Sequence, residues 1–466
     1  MVVGIPYNPS VIHPQLIDPS RRLPLTAEGS FEVLPDLRPL WDAWSALGPA
    51  LWLDSGGPIS DSSRWAVLAG NPVERFQVTG PSGEHQDPSG AAAPMTLEGF
   101  LASFGSLGPQ FLPPPDAFAQ AWFGGFTYEC GVDRLGLPTR RSQAPDAFFF
   151  RPASLVVLDR LERQWRFYGD VDSWMPSKGG ADNTSRGFHS GPLRSRDGKS
   201  TYEGGVRKVL QAIAAGDLYQ ANLSQSFEAD WSGSPSALFE TLRALNPGPF
   251  MALFRGPGFT VVSSSPERLV QVQGARLDAR PIAGTRSRGR TPEEDLRLRE
   301  ELTGSPKERA EHVMMVDLAR NDLGRVADYG SVQVSDFARV EPYARVQHLV
   351  STVRGRLREG VTPLGILDAL FPGGTITGCP KKHCVEILNG LEPRPRGYYT
   401  GSLGYVAQGP VLDWNILIRT FTIWDGGPLE FHAGAGIVAD SEPGREYEET
   451  LHKVQALAES LGTTLI

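Results

Sequence analysis

The spacing of hydrophobic positions predicts a chain of mixed strands and helices. Short apolar runs of strand length occur on both sides of a polar stretch near the middle of the chain. The runs predicted as strands are residues 50–53, 65–69, 154–158, 259–263, 268–272, 401–407, 411–422 and 431–439. Apolar residues at helical spacing predict helices over 202–215, 292–302, 305 to about 321, and from just after Pro443 to near Gly462. Because these elements alternate without a regular strand–helix–strand rhythm, the pattern favours an α+β fold.

The polar stretch at residues 175–200 is rich in Gly and Ser and has no hydrophobic periodicity. Such a composition is typical of an exposed linker or a long loop. We therefore predict an N-terminal domain over residues 1–175, a linker over 176–200, and a C-terminal domain over 201–466.

Charge and composition narrow the class of function. The 466 residues carry a formal net charge of −8, which disfavours non-specific binding to nucleic acid and means that an anionic substrate needs local basic groups. The first 20 residues lack the basic start and apolar run of a signal peptide, and no run is long enough to span a membrane. With only three cysteines, a disulfide framework is not expected, and a reducing cytoplasm is the predicted location.

Two pairs of glutamates recur at the starts of predicted helices. Glu308 and Glu311 are three residues apart, as are Glu446 and Glu449, so each pair lies on one helix face. If the two faces met, four carboxylates would need a cation between them, and oxygen ligands suit Mg²⁺. The spacing leaves two other interpretations open: Glu308 as the acid of a capping box that begins at Ser305, and the later pair as a solvated face.

Three further positions combine polar chemistry with apolar surroundings. Arg419 lies within an apolar strand pattern, where a substrate carboxylate or an internal acid could be its partner. His348 lies between apolar neighbours and could be a core histidine or a general base. The small residues Gly434, Ala435 and Gly436 would let backbone N–H groups approach an anion, although a turn or bulge explains them equally well.

Taken together and in order, the motifs resemble those of the chorismate-utilising enzymes. The matching segments are residues 265–268, 281–286, 311–322, 347–351, 371–381, 418–420, 434–436 and 446–450, with Lys453. They extend over roughly the last 260 residues, and an ordered set is far more specific than any one motif. The resemblance implies a fold in which antiparallel sheets pack as a sandwich with helices outside.

The resemblance also implies roles for individual residues. Glu311 and Glu449 are expected to bind Mg²⁺ directly, with Glu308 and Glu446 acting through metal-bound water. Glu267 is expected to be the general acid, and His348 to lie near the nucleophile and the leaving group. The residues expected to bind substrate are Gln220, Thr285, Thr375, Tyr405, Arg419, Gly434, Ala435, Gly436 and Lys453.

Gln220 separates the branches of this family. Isochorismate and salicylate synthases have a lysine there that deprotonates water, whereas glutamine cannot, so the resemblance implies the use of ammonia from a separate glutamine amidotransferase subunit. The surrounding residues favour the branch that makes 4-amino-4-deoxychorismate for p-aminobenzoate and folate. Ala283 instead matches the anthranilate synthases, because well-known aminodeoxychorismate synthases have a nucleophilic lysine at that position. An inactive scaffold or regulatory subunit is the remaining alternative.

A second ligand pocket is expected from the same resemblance. Segments around residues 51–55 and 246–251 resemble those that line a tryptophan pocket in the family. The residues predicted to line it are Ser55, Asn246, Pro247, Phe250 and Met251. Asp54 replaces the glutamate expected there, and core packing with a Pro-Gly turn is the alternative.

Overall fold

The structure is a computed structural model of the whole chain, and it describes residues 22–56, 59, 63–106, 112–170, 187–343, 345–409 and 411–465. Within these ranges no helix is long and apolar enough to cross a membrane. Residues 176–186 of the expected linker lie outside the described residues. Residues 187–200 contain two short strands and the start of a helix, and Leu193 is fully buried.

The strands are numbered in chain order. They are β1 Leu25–Ser30, β2 Ala50–Asp54, β3 Trp65–Thr79, β4 Ser82–Gln86, β5 Ala92–Pro94, β6 Trp122–Phe126, β7 Ala147–Asp159, β8 Gln164–Gly169, β9 Phe188–Ser190, β10 Arg194–Ser195, β11 Gln220–Ala229, β12 Trp231–Gly233, β13 Phe250–Gly256, β14 Phe259–Ser265, β15 Glu267–Gln273, β16 Arg276–Arg280, β17 Ile282–Ser287, β18 Gln333–Pro342, β19 Val346–Arg356, β20 Gly378–Cys379, β21 Ser402–Ala407, β22 Val411–Ile416, β23 Thr420–Trp424 and β24 Leu429–Ile437.

The helices lie between these strands. They are α1 Arg38–Leu47, α2 Leu97–Ala102, α3 Tyr128–Arg134, α4 Lys199–Ala214, α5 Pro235–Leu245, α6 Pro292–Gly304, α7 Pro306–Gly324, α8 Pro363–Leu370, α9 Lys381–Leu391 and α10 Pro443–Leu461. Short 3₁₀ turns are formed by Asp116–Gln120 and Gly374–Ile376.

Apart from β9 and β12, which pair with each other in a separate two-stranded sheet, the described strands form two antiparallel sheets, joined through β3 and β7. The first sheet runs β1–β8–β7–β3–β2–β13–β14–β23–β24–β11, with β10 and β20 against β11. The second runs β5–β4–β3–β7–β6–β21–β22–β15–β16–β19, with β17 and β18 also paired to β19. The 15 residues of β3 and the 13 of β7 are long enough to take part in both sheets.

Burial follows this arrangement. One apolar cluster joins residues of both sheets, such as Phe254 and Val261 from the first and Phe123 and Leu403 from the second. The other large clusters place α1, α5 and α10 against the first sheet, and α2, α7, α8 and α9 against the second. The structure therefore confirms the predicted α+β sandwich with helices on the outside, since burial of both inner faces gives one core.

Helix ends follow the local sequence signals closely. Ser305 caps α7 by accepting a hydrogen bond from the Glu308 amide at 3.3 Å, and Pro306 occupies the first helical position. Helix α10 ends at Gly462 in a left-handed conformation, which glycine adopts without strain.

One strand expectation is wrong. The predicted strand over residues 411–422 is divided into β22 and β23 by a break at residues 417–419. Arg419 has a positive φ of 53° there, so it does not continue the alternation of a strand.

Candidate active site

A buried carboxyl group lies where β15 begins. Glu267 pairs with Ile416 of β22 and is 4% exposed. Burial raises the pKa of Glu267 to about 7, against a smaller lowering effect of the Thr375 hydroxyl. Glu267 can therefore hold a proton near neutral pH, as a general acid must.

The loop after α8 brings Thr375 to this carboxyl group. The Asn222 side chain donates a hydrogen bond to the Ile376 carbonyl at 3.1 Å, and the Asn222 amide donates to the Thr377 carbonyl at 2.9 Å. Gln220, at the start of β11, pairs with Cys379. The loop thus joins the surroundings of Glu267 to the edge of the first sheet.

Arg419 and His348 lie together near the turn that precedes Glu267. An Arg419 Nη2 lies 3.4 Å from His348 Nε2, and the Thr285 hydroxyl lies 2.9 Å from His348 Nδ1. Burial and the positive charge of Arg419 lower the pKa of His348 to about 3, so the imidazole is neutral. The Ser264 amide donates to the Arg419 carbonyl at 3.1 Å, which fixes this group beside the turn that leads into Glu267.

The small residues of β24 form a closely packed edge. Gly434, Ala435 and Gly436 pair with β11, so they lie within a strand. A Cβ at Gly436 would lie 2.6 Å from Gln220 Nε2, and one at Gly434 would lie 2.9 Å from the Tyr399 hydroxyl oxygen. Any larger side chain would displace these polar groups, so the glycines keep them close to the strand backbone.

Lys453 of α10 lies at the same edge. Its ammonium group donates to the Gly434 carbonyl at 2.8 Å and contacts Glu449 at 2.8 Å. A cation beside Gly434 favours the binding of an anion at this strand.

The charges of the four glutamates in α7 and α10 influence one another's pKa values. Burial raises the pKa of Glu311, and the neighbouring charges of Glu308, Glu449 and Glu446 raise it further, while Lys307 lowers it. Burial also raises the pKa of Glu446, and Glu449 adds to that effect. The charges on one helix therefore act on the glutamates of the other, which the sequence left open.

Basic side chains partly neutralise these glutamates. Glu308 contacts Arg286 at 2.8 Å, and Glu311 contacts Lys307 at 3.8 Å. Across the described residues, no three Asp, Glu, His or Cys side chains converge closely enough to hold a metal ion as they are placed. The set nevertheless fits a divalent cation chemically, because its carboxylate oxygens repel one another and suit Mg²⁺.

Tyr405 requires a correction. We expected it in the substrate group, but its ring packs in the sandwich core at 5.0 Å from Phe118. It lines a separate cavity of about 320 Å³ with Arg268 and Asp413. The tyrosine near the glycine strand is Tyr399, which stacks on His432 with ring centroids 5.4 Å apart.

The cavity beside Tyr405 contains part of the expected tryptophan pocket. Ser55, Phe250 and Met251 line it, together with Asp54, whereas Asn246 and Pro247 are not among its lining residues. Asp54 is already paired with Arg243 at 3.0 Å.

Sequence reasoning missed Arg396, which holds β11 and the loop that carries Thr375 together. Its guanidinium group donates to Glu392 at 2.7 Å, to the Asn222 carbonyl at 2.7 Å and to the Ile376 carbonyl at 3.0 Å. Only the four-residue spacing between Glu392 and Arg396 signals this pair in the sequence.

Comparison with known proteins assigns the family. The model of the chorismate binding enzyme family matches residues 50–459, most of the chain. The chain belongs to the chorismate binding enzyme family. Within that family, relatives with two different names are almost equally similar to it.

Aminodeoxychorismate synthase component 1 of Bacillus subtilis (strain 168) is 49% identical over 256 residues, which is 55% of this chain and 54% of the relative. Anthranilate synthase component 1 of Aquifex aeolicus (strain VF5) is 48% identical over 268 residues, 58% of this chain and 54% of the relative. The chain thus spans about half the length of these curated relatives.

A solved structure agrees with the fold. The crystal structure of anthranilate synthase component I from Streptococcus pneumoniae TIGR4 has a TM-score of 0.73 at 28% identity, covering 86% of this chain and 93% of that chain.

Proposed function

We propose that the chain aminates chorismate in a Mg²⁺-dependent reaction and gives 4-amino-4-deoxychorismate. The observation that carries the proposal is Gln220, whose amide nitrogen would lie 2.6 Å from a Cβ at Gly436 at the edge of the substrate strand. An amide has no basic nitrogen and cannot deprotonate water, whereas ammonia is already a nucleophile.

The cationic groups suit the two carboxylates of chorismate. Arg419 offers a planar guanidinium group, which binds a carboxylate through two parallel hydrogen bonds. Lys453, which donates to the Gly434 carbonyl, would provide a second anion site together with the glycine strand. Together they overcome the unfavourable net charge of the chain.

Glu267 is the acid in the proposed reaction. With a pKa near 7, it carries a proton that it donates to the departing C4 hydroxyl, which leaves as water. Neutral His348, held by Thr285, accepts or donates a hydrogen bond without adding a second positive charge beside Arg419.

Glu308, Glu311, Glu446 and Glu449 are the residues that would hold the magnesium ion. When bound, Mg²⁺ supplies a positive charge for the ring carboxylate and withdraws electrons from the ring. Arg286, Lys307 and Lys453, which now contact three of these glutamates, would have to give up those contacts.

The ammonia comes from a separate glutamine amidotransferase subunit in this proposal. Glutamine hydrolysis of that kind needs an activated thiolate. Burial raises the pKa of Cys130, Cys379 and Cys384, so all three thiols of the chain are less ionised than a free cysteine.

Formation of anthranilate is the second candidate, and Ala283 favours it. Ala283 lies in β17, two residues before Thr285, and its methyl group cannot attack the ring. The similar identities of the two kinds of relative support either product.

Product analysis distinguishes these candidates. The purified chain is incubated with chorismate, Mg²⁺ and ammonium at mildly alkaline pH, with and without aminodeoxychorismate lyase. We expect p-aminobenzoate only when the lyase is present. Fluorescent anthranilate and pyruvate without lyase would instead identify an anthranilate synthase.

The same preparation tests the scaffold alternative. We expect chorismate with Mg²⁺ to raise the melting temperature of the protein more than either does alone, because a ligand that binds only the folded state stabilises it. Lack of both stabilisation and product would indicate an inactive subunit.

A further inference from the structure

A small cavity lies beside Glu267, and neither Arg419 nor His348 is among the residues that line it. Its volume is about 30 Å³, and its walls include Glu267, Thr375, Gly374, Leu318, Ala279 and Asp322. A buried cavity needs about 10–15 Å³ to hold one water molecule, so this cavity has room for one or two water molecules.

Two polar atoms of residues in the cavity wall make no hydrogen bond of ordinary geometry among the described residues, although the Thr375 hydroxyl is near enough to the Glu267 carboxyl group to lower its pKa. They are Oε1 of Glu267 and Oγ1 of Thr375, and both are fully buried. An unsatisfied buried oxygen is costly, and ordered water is the usual way in which proteins satisfy such groups. The cavity therefore provides both the space and the polar partners for a bound water molecule.

Asp322, which lines the cavity, forms a salt bridge with Lys381. Lys381 Nζ lies 2.8 Å from Asp322 Oδ2 and also donates to the Leu370 carbonyl at 3.1 Å. The Asp322 side chain is 16% exposed and the Lys381 side chain 14%, so the pair is more exposed to solvent than Glu267, which is 4% exposed. The cavity thus lies between the buried acid and a partly solvated ion pair.

We propose that Asp322 and Lys381 return protons to Glu267 through water bound in this cavity. The inference rests on the proposed function, in which Glu267 loses one proton to the departing hydroxyl in every turnover. Asp322 accepts a proton from solvent, passes it to the water, and the water passes one of its own protons to Glu267 Oε1. Asp322 is then a carboxylate again and the water again has two protons, so the net change is one proton moved from solvent to Glu267. No oxidant or reductant is needed.

The charges around the pair suit this role. Burial raises the pKa of Asp322, which Lys381 and Arg325 oppose, and burial lowers the pKa of Lys381. Both shifts bring the members of the pair nearer to their neutral forms, so that a proton can be exchanged at moderate cost. The other titratable groups of this region among the described residues are Arg268 and Arg280, which line the cavity, Arg325, whose charge acts on Asp322, and Cys379, whose pKa is raised by burial and by Asp322.

A Gly374→Ala substitution tests the water path directly. The added methyl group would lie 3.4 Å from Leu318 and 3.8 Å from Asp322 Oδ2, both ordinary contacts, and it would occupy the space of the water. Gly365→Ala, in α8 and outside the cavity lining, is the matched control. Its methyl group would contact only Val361, at 3.5 Å.

We expect Gly374→Ala to lower kcat about tenfold or more, with KM for chorismate little changed, because substrate contacts remain. The solvent deuterium isotope effect on kcat should rise, since proton return becomes rate-limiting. Gly365→Ala should change neither quantity. Wild-type kcat and isotope effect in Gly374→Ala would overturn the proposal, and so would a loss of kcat without a rise in the isotope effect.

Asp322→Asn addresses the donor in a second way. The amide keeps the size of the side chain and cannot carry a proton in turnover. We expect its kcat to fall more steeply with rising pH than that of the wild type. A pH profile parallel to that of the wild type would mean that Glu267 is reprotonated from the substrate side and would overturn the proposal.

A final measurement does not depend on activity with chorismate. The carboxylic acid band of Glu267 can be followed by infrared spectroscopy after transfer to D₂O and assigned with Glu267→Gln. We expect its exchange to be slower in Gly374→Ala than in the wild type and unchanged in Gly365→Ala. Equal exchange in all three would refute the water path, whereas inactivity of the wild type with normal exchange would refute only the proposed function.

Discussion

The two groups of acidic residues in this molecule have raised pKa values for different reasons. Glu267 stands alone, and burial accounts for the rise. Glu311 is only partly buried, and three neighbouring glutamates contribute to its shift. Protonation removes the cost of burying the charge of a solitary acid. In a cluster of acids, a bound cation removes the repulsion between the charges equally well. The same chemical group thus suits proton transfer in one place and metal binding in another.

Replacing the solitary acid should have the largest effect. We expect Glu267→Gln to lower kcat by about 10²–10⁴-fold, the usual contribution of a general acid, with a smaller change in KM. Steady-state kinetics of product formation measures both constants. Glu129→Gln is a matched control, because burial also raises the pKa of Glu129 to about 7 but its carboxylate accepts hydrogen bonds from the backbone of Arg396 and Gly397. Equal losses in the two variants would contradict the assignment of Glu267.

The same substitution should change stability in a pH-dependent way. The folded-state pKa of Glu267, about 7, lies above its usual value of 4.5. The contribution of the protonated Glu267 carboxyl group to the free energy of unfolding is therefore fully present below pH 4.5. That contribution is lost as pH rises through 7. Glu267→Gln cannot ionise, so it should match the wild type at pH 4.5 and exceed its free energy of unfolding by roughly 2–4 kcal/mol at pH 8. Denaturant unfolding at both pH values measures the difference, and a difference independent of pH would contradict it.

Replacing one acid of the cluster should act through the metal instead. We expect Glu311→Gln to weaken the activation by Mg²⁺ at least about tenfold, measured as the concentration for half-maximal rate. Glu300→Gln in α6 is a surface control that should leave this concentration unchanged. An unaltered Mg²⁺ requirement in Glu311→Gln would show that Glu311 does not bind the metal ion.

The smallest effect is expected at the cavity beside Tyr405. Asp54 is paired with Arg243, so it is poorly available for the amino group of tryptophan. We expect tryptophan to raise the melting temperature only at high concentration, and Met251→Ala, in the cavity wall, to remove that rise. Calorimetry that detects no heat and no stabilisation would refute tryptophan binding.

Local sequence signals predicted helix ends well and long-range neighbours poorly. Ser305 with Pro306, and Gly462, specify helix ends because the residues that satisfy the backbone are close in sequence. The influence of the α10 glutamates on Glu311 of α7 depends on the packing of the whole fold, and no local sequence pattern predicts it. The fold prediction came from an ordered set of motifs, which periodicity alone could not have supplied.

The errors at Arg419 and Tyr405 have physical reasons. Alternation of apolar residues continues across 417–419, so the pattern does not reveal the positive φ of a residue other than glycine. Tyr399 and Tyr405 are both buried tyrosines close together in sequence, and only the partner of each ring, His432 for Tyr399 and Phe118 for Tyr405, separates a site residue from a core residue.

The sharing of β3 and β7 by both sheets has a practical consequence for protein production. A fragment that starts near residue 201 would lose β2 and β6, and so the partners of β13 and β21. Two unpaired strand edges would then face solvent, the situation in which sheets associate with one another. We expect such a fragment to accumulate as inclusion bodies on its own, and to be recovered when residues 22–170 are produced in the same cell as a separate polypeptide.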